Sequence, residues 1–287
     1  MKEVTSNQKI LVTKASGEKA LFSPEKLRHS LHRSGADENT INEILSKVQE
    51  NLFEGITTKK IYQLAITLLK KESKPFAAKY KLKRAIMELG PSGFPFKKYV
   101  AAILKHQGFS VRVGEIVKGH CVNHEIDVIA EKENQHFMIE CKYHNQSGYS
   151  CDVKIPLYIQ ARFKDVEEQW KNIQGHGTKF HQGWVVTNTK FTTDAIQYGQ
   201  CAGLNLLGWD FPKKKSLREQ IDESGLYPLT CLTTLSLHEK QLLLNEKIVL
   251  CKELCDNPSL LSIALIAEER KKLILSEANT LCKEFQS

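Results

Sequence analysis

Two short segments carry the residues with the most definite chemistry: His124-Glu125-Ile126-Asp127-Val128-Ile129-Ala130 and Ile139-Glu140-Cys141-Lys142-Tyr143. Both read as β-strands, Glu125 to Ala130 and Phe137 to Lys142, joined by the polar turn Glu131 to Gln135. Alternate residues of a strand share a face, so Glu140 and Lys142 point one way while Cys141 points with Ile139 into the core. A turn centred between Glu133 and Asn134 sets Asp127 opposite Glu140 and Glu125 opposite Lys142, with opposed Cβ atoms about 4.5–5.5 Å apart. Neighbouring carboxylates repel unless a cation offsets them. Oxygen donors suit Mg²⁺ (or Mn²⁺), and Mg²⁺ takes one or two carboxylates and keeps several waters. Such an ion polarises a phosphate and acidifies nearby water, and Lys142 would position that water or stabilise the charge on phosphorus. The bland alternative is a surface hairpin with a cross-strand Glu–Lys pair. Cys121-x-x-His124 and Cys141-x-x-His144 have zinc-like spacing, but residues three apart on a strand face opposite sides.

These strands need a scaffold. Phe96, Val100, Ile103 and Leu104 mark an amphipathic helix ending at Gly108, ahead of a strand over Ser110 to Lys118. After the hairpin come a helix over about Pro156 to Ile173, a buried strand Trp184 to Thr187, a helix over about Thr192 to Cys201 and a strand Asn205 to Gly208. That order describes an α/β domain on one central sheet. Gly90-Pro91-Ser92-Gly93 marks a boundary before it, and Pro212 to Lys215 reads as a linker to a leucine-rich, strand-poor C-terminus. Upstream, Lys9 to Lys14 and Ala20 to Phe22 read as short strands around a turn at Gly17. Ser23-Pro24-Glu25-Lys26 is a helix start with Ser as cap and Pro in the first turn. Further helices follow beyond a loop at Ser34 to Asn39: one over Ile41 to Leu52, one capped by Thr57 or Thr58, and a last one from about Phe76 to Leu89.

Asp127 followed by Glu140-Cys141-Lys142, with Gly119 and His124 leading in, resembles the Mrr-like restriction endonucleases of the PD-(D/E)XK superfamily. The likeness extends through Arg162-Phe163 and Gly183-Trp184-Val185-Val186-Thr187-Asn188-Thr189 to about Trp209. It implies catalytic roles for Asp127, Glu140 and Lys142, and a metal held by Asp127, Glu140 and the carbonyl of Cys141. It also implies DNA as substrate and a homo-oligomer, since relatives cut both strands by pairing subunits. Many relatives carry a further acid on the helix before the first strand. Here that stretch is Phe96-Lys97-Lys98-Tyr99, which puts a second metal in doubt. Arg162 and Lys164 are candidates for holding DNA phosphates.

Leu11-Val12-Thr13-Lys14, Pro24-Glu25-Lys26-Leu27, Gly55-Ile56-Thr57-Thr58 and Ala77-Ala78-Lys79-Tyr80 resemble the ATP-cone, a nucleotide-binding regulatory domain. By that resemblance Val12, Lys14, Lys26 and Thr58 line a site for ATP or dATP, with the lysines at the phosphates. The usual basic-acidic pair after the first lysine is Ala15-Ser16 here, so one phosphate contact is lost. No Walker A loop is present, so hydrolysis of the nucleotide is not implied.

The expected organisation is therefore an ATP-cone domain over 1–90, a nuclease domain with a mixed sheet over 91–212, and a small helical segment over 213–287. The activity implied is a metal-dependent DNA endonuclease. The competing readings are a non-cleaving DNA-binding protein and a nucleotide-responsive regulator of another protein. The bulk sequence agrees with a globular chain at 41% hydrophobic and 26% charged residues. It holds no apolar run of the roughly 18 residues a membrane helix needs, and Met1 to Lys9 is polar. These features predict a cytoplasmic protein with no membrane partner. Its eight cysteines then read as reduced thiols, with Cys141, Cys201 and Cys251 in apolar surroundings. The net charge of +8 is concentrated between Lys70 and Lys105, where ten basic residues face two acidic ones. Such a patch attracts polyanions.

Overall fold

Capping residues set the helix starts in the first part of the chain. In the computed structural model, which describes residues 10–171 and 180–283, Ser23 Oγ accepts the Lys26 N–H at 3.3 Å and Pro24 opens α1 (Pro24–Arg33). Asp37 caps α2 (Glu38–Glu50), Thr57 caps α3 (Thr58–Glu72) and Ser73 caps α4 (Lys74–Tyr80). Ahead of them, β1 (Leu11–Thr13) pairs antiparallel with β2 (Lys19–Leu21). Leu27, Leu31, Ile41, Ile44, Val48, Ile61, Ala65 and Leu69 recur at helical spacing and close one core with Val12. The expected helix from Phe76 to Leu89 is instead two, since α4 ends at Tyr80 with Lys81 as its C-cap. α5 (Leu82–Met87) follows. Expectations for Met1 to Lys9 and for the helix end at 172–173 lie outside the described residues.

Contacts divide the chain into residues 1–82 and 83–287. The second unit is built on a five-stranded mixed sheet in the order β3-β4-β5-β7-β9. β3 (Ser110–Lys118), β4 (Asn123–Lys132) and β5 (Gln135–Lys142) form an antiparallel meander. β7 (Phe180–Thr187) and β9 (Asn205–Leu207) add in parallel, and each parallel step needs a helical crossover. α7 (Lys154–Lys171) and α8 (Thr193–Cys201) supply them, while β6 (Ser150–Cys151) and β8 (Lys190–Phe191) form a small separate pair. α6 (Phe94–His106) precedes the sheet and buries Phe96, Tyr99, Val100, Ile103 and Leu104.

The hairpin turn falls at Glu133-Asn134, both in the left-handed region with φ of 53° and 60°. That is the two-residue connection whose twist matches paired strands, and it fixes the register Lys132↔Gln135 through Val128↔Ile139. Both strands are longer than expected because the turn needs only those two residues.

After β9, α9 (Leu217–Ser224), α10 (Leu237–Asn245), α11 (Cys251–Asp256) and α12 (Glu268–Lys283) make the helical C-terminus. It packs on α6: the buried Tyr99 hydroxyl donates to the Leu226 carbonyl at 2.7 Å, and Gln107 bonds Gln220 at 2.8 Å. All eight cysteines are free thiols; Cys251 is buried, whereas Cys201 is exposed at the end of α8 rather than in the core. Among the described residues no helix is long and apolar enough to cross a membrane.

Candidate active site

The β4–β5 ladder stops at Val128↔Ile139, one pair short of Asp127 and Glu140. On the other flank the β3–β4 register skips the Gly114–Asp127 position, where Gly114 has φ +72°. Asp127 therefore sits where both neighbouring ladders are interrupted, and its side chain takes up what the backbone leaves open. Its Oδ2 accepts the Cys141 N–H at 2.7 Å. The expected opposition of Glu125 and Lys142 is not formed. Glu125 pairs with Ile116 on β3, because the two strands no longer run as a ladder at that point.

Oδ1 of Asp127 meets Lys97 Nζ at 2.6 Å, and the same ammonium lies 3.4 Å from Glu125 Oε1. Lys97 shares a helix stripe with Val100 and Leu104 (i, i+3, i+7), both of which are buried, so the fold of α6 aims it at the sheet. Burial works against its charge, but Asp127 and Glu125 outweigh that and raise its pKa. Glu140 faces the opposite bias. Burial, then the Asp127 charge, push its carboxyl up to about 7, against the help of Arg162 and Lys97.

Arg162 Nη1 is 2.7 Å from Glu140 Oε1, both side chains being 13% exposed. That contact works against the rise in the Glu140 pKa. Arg162 also donates Nη2 to the Glu125 carbonyl and Nε to His124 Nδ1 at 3.4 Å. His124 Nε2 meets Asp165 Oδ2 at 2.7 Å, and Asp165 accepts the Cys121 and Val122 N–H groups at 2.7 and 3.3 Å. The His124 hydrogen bond, then these backbone donors, hold the Asp165 carboxyl far below the ordinary range. Gly119 is required here, since a Cβ would lie 2.1 Å from Asp165 Oδ2 and 2.5 Å from the Val122 carbonyl. The chain Gly119–Asp165–His124–Arg162 thus orients Glu140. Arg162, expected at a DNA phosphate, is engaged inside the site, and Lys164 pairs with Glu167 at 2.8 Å.

Lys142 is exposed and lines an open cleft of about 450 Å³ with Gly93, Cys141, Tyr143, His144 and Tyr149. Thr187 Oγ1 donates to the Lys142 carbonyl at 2.7 Å, and Asn188 clasps the His144 backbone by two bonds of 2.9 and 2.7 Å. The Thr187-Asn188-Thr189 run therefore fixes the chain after β5. Burial, then the Lys142 charge, lower the His144 pKa.

Two carboxylates in electrostatic contact and largely shielded from solvent are a donor set that fits a hard divalent cation. Cys141 would contribute its carbonyl rather than sulfur, because burial and both carboxylates hold the thiol well above its ordinary range. Among the described residues no three His, Cys, Asp or Glu side chains converge as in a closed cage.

In the first unit, Val12, Lys14, Lys26 and Thr58 line one cavity of about 230 Å³ together with Ala20, Ile61 and Tyr80. Lys14 Nζ is 2.9 Å from Glu18 Oε1, so that ammonium is shared with a carboxylate.

Sequence reasoning did not assign Lys97 or Asp165 a role. The signals were present: Lys97 at i−3 from Val100, and Asp165 three residues after Arg162 on the same helix face.

A family model described as ATP cone domain matches residues 10–88, and one described as restriction endonuclease matches 90–210. A third, described as AF1548-like, C-terminal, matches 227–282. A curated relative from Archaeoglobus fulgidus, described as an uncharacterized protein, is 42% identical over 133 residues, or 46% of this chain and 71% of the relative. The chain belongs to the AF1548-like family. The solved structure described as protein of unknown function AF1548 aligns with a TM-score of 0.55 at 32% identity, covering 66% of this AF1548-like chain and 98% of the other. The fusion expected from the sequence, an ATP cone ahead of an Mrr-like restriction endonuclease domain, is present. The domain content of this AF1548-like chain is that of a nuclease with nucleotide-binding regulation.

Proposed function

We propose that the chain is a metal-dependent DNA endonuclease whose N-terminal domain binds ATP or dATP as a regulatory ligand. The observation that supports this reading is the electrostatic contact of Asp127 and Glu140 where the β4–β5 ladder ends, with the exposed Lys142 two residues further along β5. Mg²⁺ or Mn²⁺ held by Asp127, Glu140 and the Cys141 carbonyl would supply Lewis-acid polarisation of the scissile phosphate. The protein's own groups do the positioning. The Cys141 N–H orients Asp127, Arg162 orients Glu140, and Lys142 holds the attacking water or offsets the charge that builds on phosphorus. The open cleft of about 450 Å³ lined by Lys142 is where the DNA backbone would lie.

In the first unit, Lys14 and Lys26 would meet nucleotide phosphates while Val12 and Thr58 line the remainder of the cavity. Regulation there works by binding alone, without hydrolysis. Cutting both strands calls for two such sites, which favours a homo-oligomer.

The test is plasmid cleavage with Mg²⁺ or Mn²⁺, with and without ATP, comparing the intact chain with Asp127→Ala and Lys142→Ala. Metal-dependent nicking or linearisation that both substitutions abolish is the expected result. DNA retention without cleavage under every condition would replace this reading with a non-cleaving DNA-binding protein.

A further inference from the structure

Lys97 places a cation on the carboxylate of Asp127 that a metal would use. Oδ2 accepts the Cys141 N–H and Lys97 Nζ contacts Oδ1 at 2.6 Å, so a divalent ion bound by Asp127 shares its carboxylate with an ammonium. The position of Lys97 is fixed by its helix. Phe96 and Tyr99 on either side are fully buried, and Lys98 points to another surface, donating to the Lys247 carbonyl and pairing with Glu253 at 3.5 Å. A divalent ion and an ammonium on the same carboxylate would repel strongly in a half-dry site. Glu125 offers the ammonium somewhere to go. Its Oε1 lies 3.4 Å from Lys97 Nζ and its side chain is 65% exposed, so a small rotation toward solvent exchanges one carboxylate for the other.

We propose that Lys97 is an internal counter-ion that holds Asp127 in the metal-free chain and transfers to Glu125 when a divalent cation enters. The proposal rests on the reading that Asp127 and Glu140 are metal ligands. It makes two linked statements. The metal-free chain tolerates two neighbouring acids because Lys97 offsets them, and metal affinity is set lower than the carboxylates alone would give. Lys97 is thus a positioning residue that tunes when the site loads.

Mn²⁺ titration by calorimetry on the intact chain tests this without reference to cleavage. Lys97→Met is expected to bind Mn²⁺ about tenfold more tightly, equivalent to an ion pair worth about 1.4 kcal/mol. Its metal-free melting temperature should fall and its gain on adding Mn²⁺ should exceed that of the unmodified chain. Lys97→Gln, a milder change, should tighten binding in the same direction, so poor folding of one variant leaves the test standing. Glu125→Gln removes the receiving carboxylate and should weaken Mn²⁺ binding several-fold. Unchanged or weaker affinity in both Lys97 variants overturns the proposal. Asp127→Asn separates the two levels: it should abolish binding, and if it does not, the metal-ligand reading fails and the Lys97 proposal with it.

Discussion

Replacing Glu140 by Gln should stabilise the metal-free protein at alkaline pH while leaving it unchanged in acid. Glu140 is held at about 7 against an ordinary 4.5, by burial and then by the charge of Asp127. A carboxyl raised in the folded state binds its proton more tightly there than in the unfolded chain. The stability it contributes is therefore complete below pH 4.5 and is lost as pH rises to about 7. At about 1.4 kcal/mol per pH unit, that interval corresponds to a loss on the order of 3 kcal/mol at pH 8. Gln keeps the shape and never ionises, so it escapes the loss. Urea denaturation in the presence of a chelator, at pH 5 and pH 8, reads the difference between the two proteins directly. The expected pattern is a gain for Glu140→Gln of under about 1 kcal/mol at pH 5 that grows to roughly 3 kcal/mol at pH 8. Adding Mg²⁺ at pH 8 should stabilise only the unmodified chain, by about 2.7 kcal/mol at one hundred times its dissociation constant. A difference that stays constant from pH 5 to pH 8 would refute the reasoning, because it would mean that Glu140 ionises as freely in the fold as outside it.

Arg162→Gln removes the cation that lowers the Glu140 pKa, so the pH at which cleavage rises should move upward, with a loss of about 10- to 100-fold at neutral pH; an unshifted profile would argue against a positioning role. Gly119→Ala pushes a methyl group to 2.1 Å from Asp165 Oδ2 and 2.5 Å from a backbone carbonyl. It should cost about 1–3 kcal/mol in chemical denaturation, and less in an Asp165→Ala background. Lys26→Ala should weaken ATP binding roughly tenfold or more, as expected for loss of a charge-assisted hydrogen bond, and leave adenosine binding unchanged by calorimetry. Equal losses for ATP and adenosine would place Lys26 away from the phosphates.

Local chemistry made much of this protein legible from its residues alone. Ser23, Thr57 and the Glu133-Asn134 turn act within a few positions of themselves, so caps, turn and hairpin register follow from neighbours in the chain. The alternation around Asp127 and Glu140-Cys141-Lys142, with the family likeness those residues carry, pointed to the fold class, and the Leu11-Val12-Thr13-Lys14 and Pro24-Glu25-Lys26-Leu27 segments added the other half of the domain fusion. Spacing extrapolates a strand as though it continued, however. It therefore missed that the ladder ends at Val128↔Ile139 and that Asp127 turns its carboxylate to the Cys141 N–H. It also gave Lys97 and Asp165 no role and set Arg162 at a DNA phosphate rather than on Glu140, because each reaches the site from a helix about 20–40 residues away. Which charges offset one another depends on how α6 and α7 pack against the sheet. Electrostatic energy falls with distance in space, not along the chain, and only the tertiary structure sets those distances.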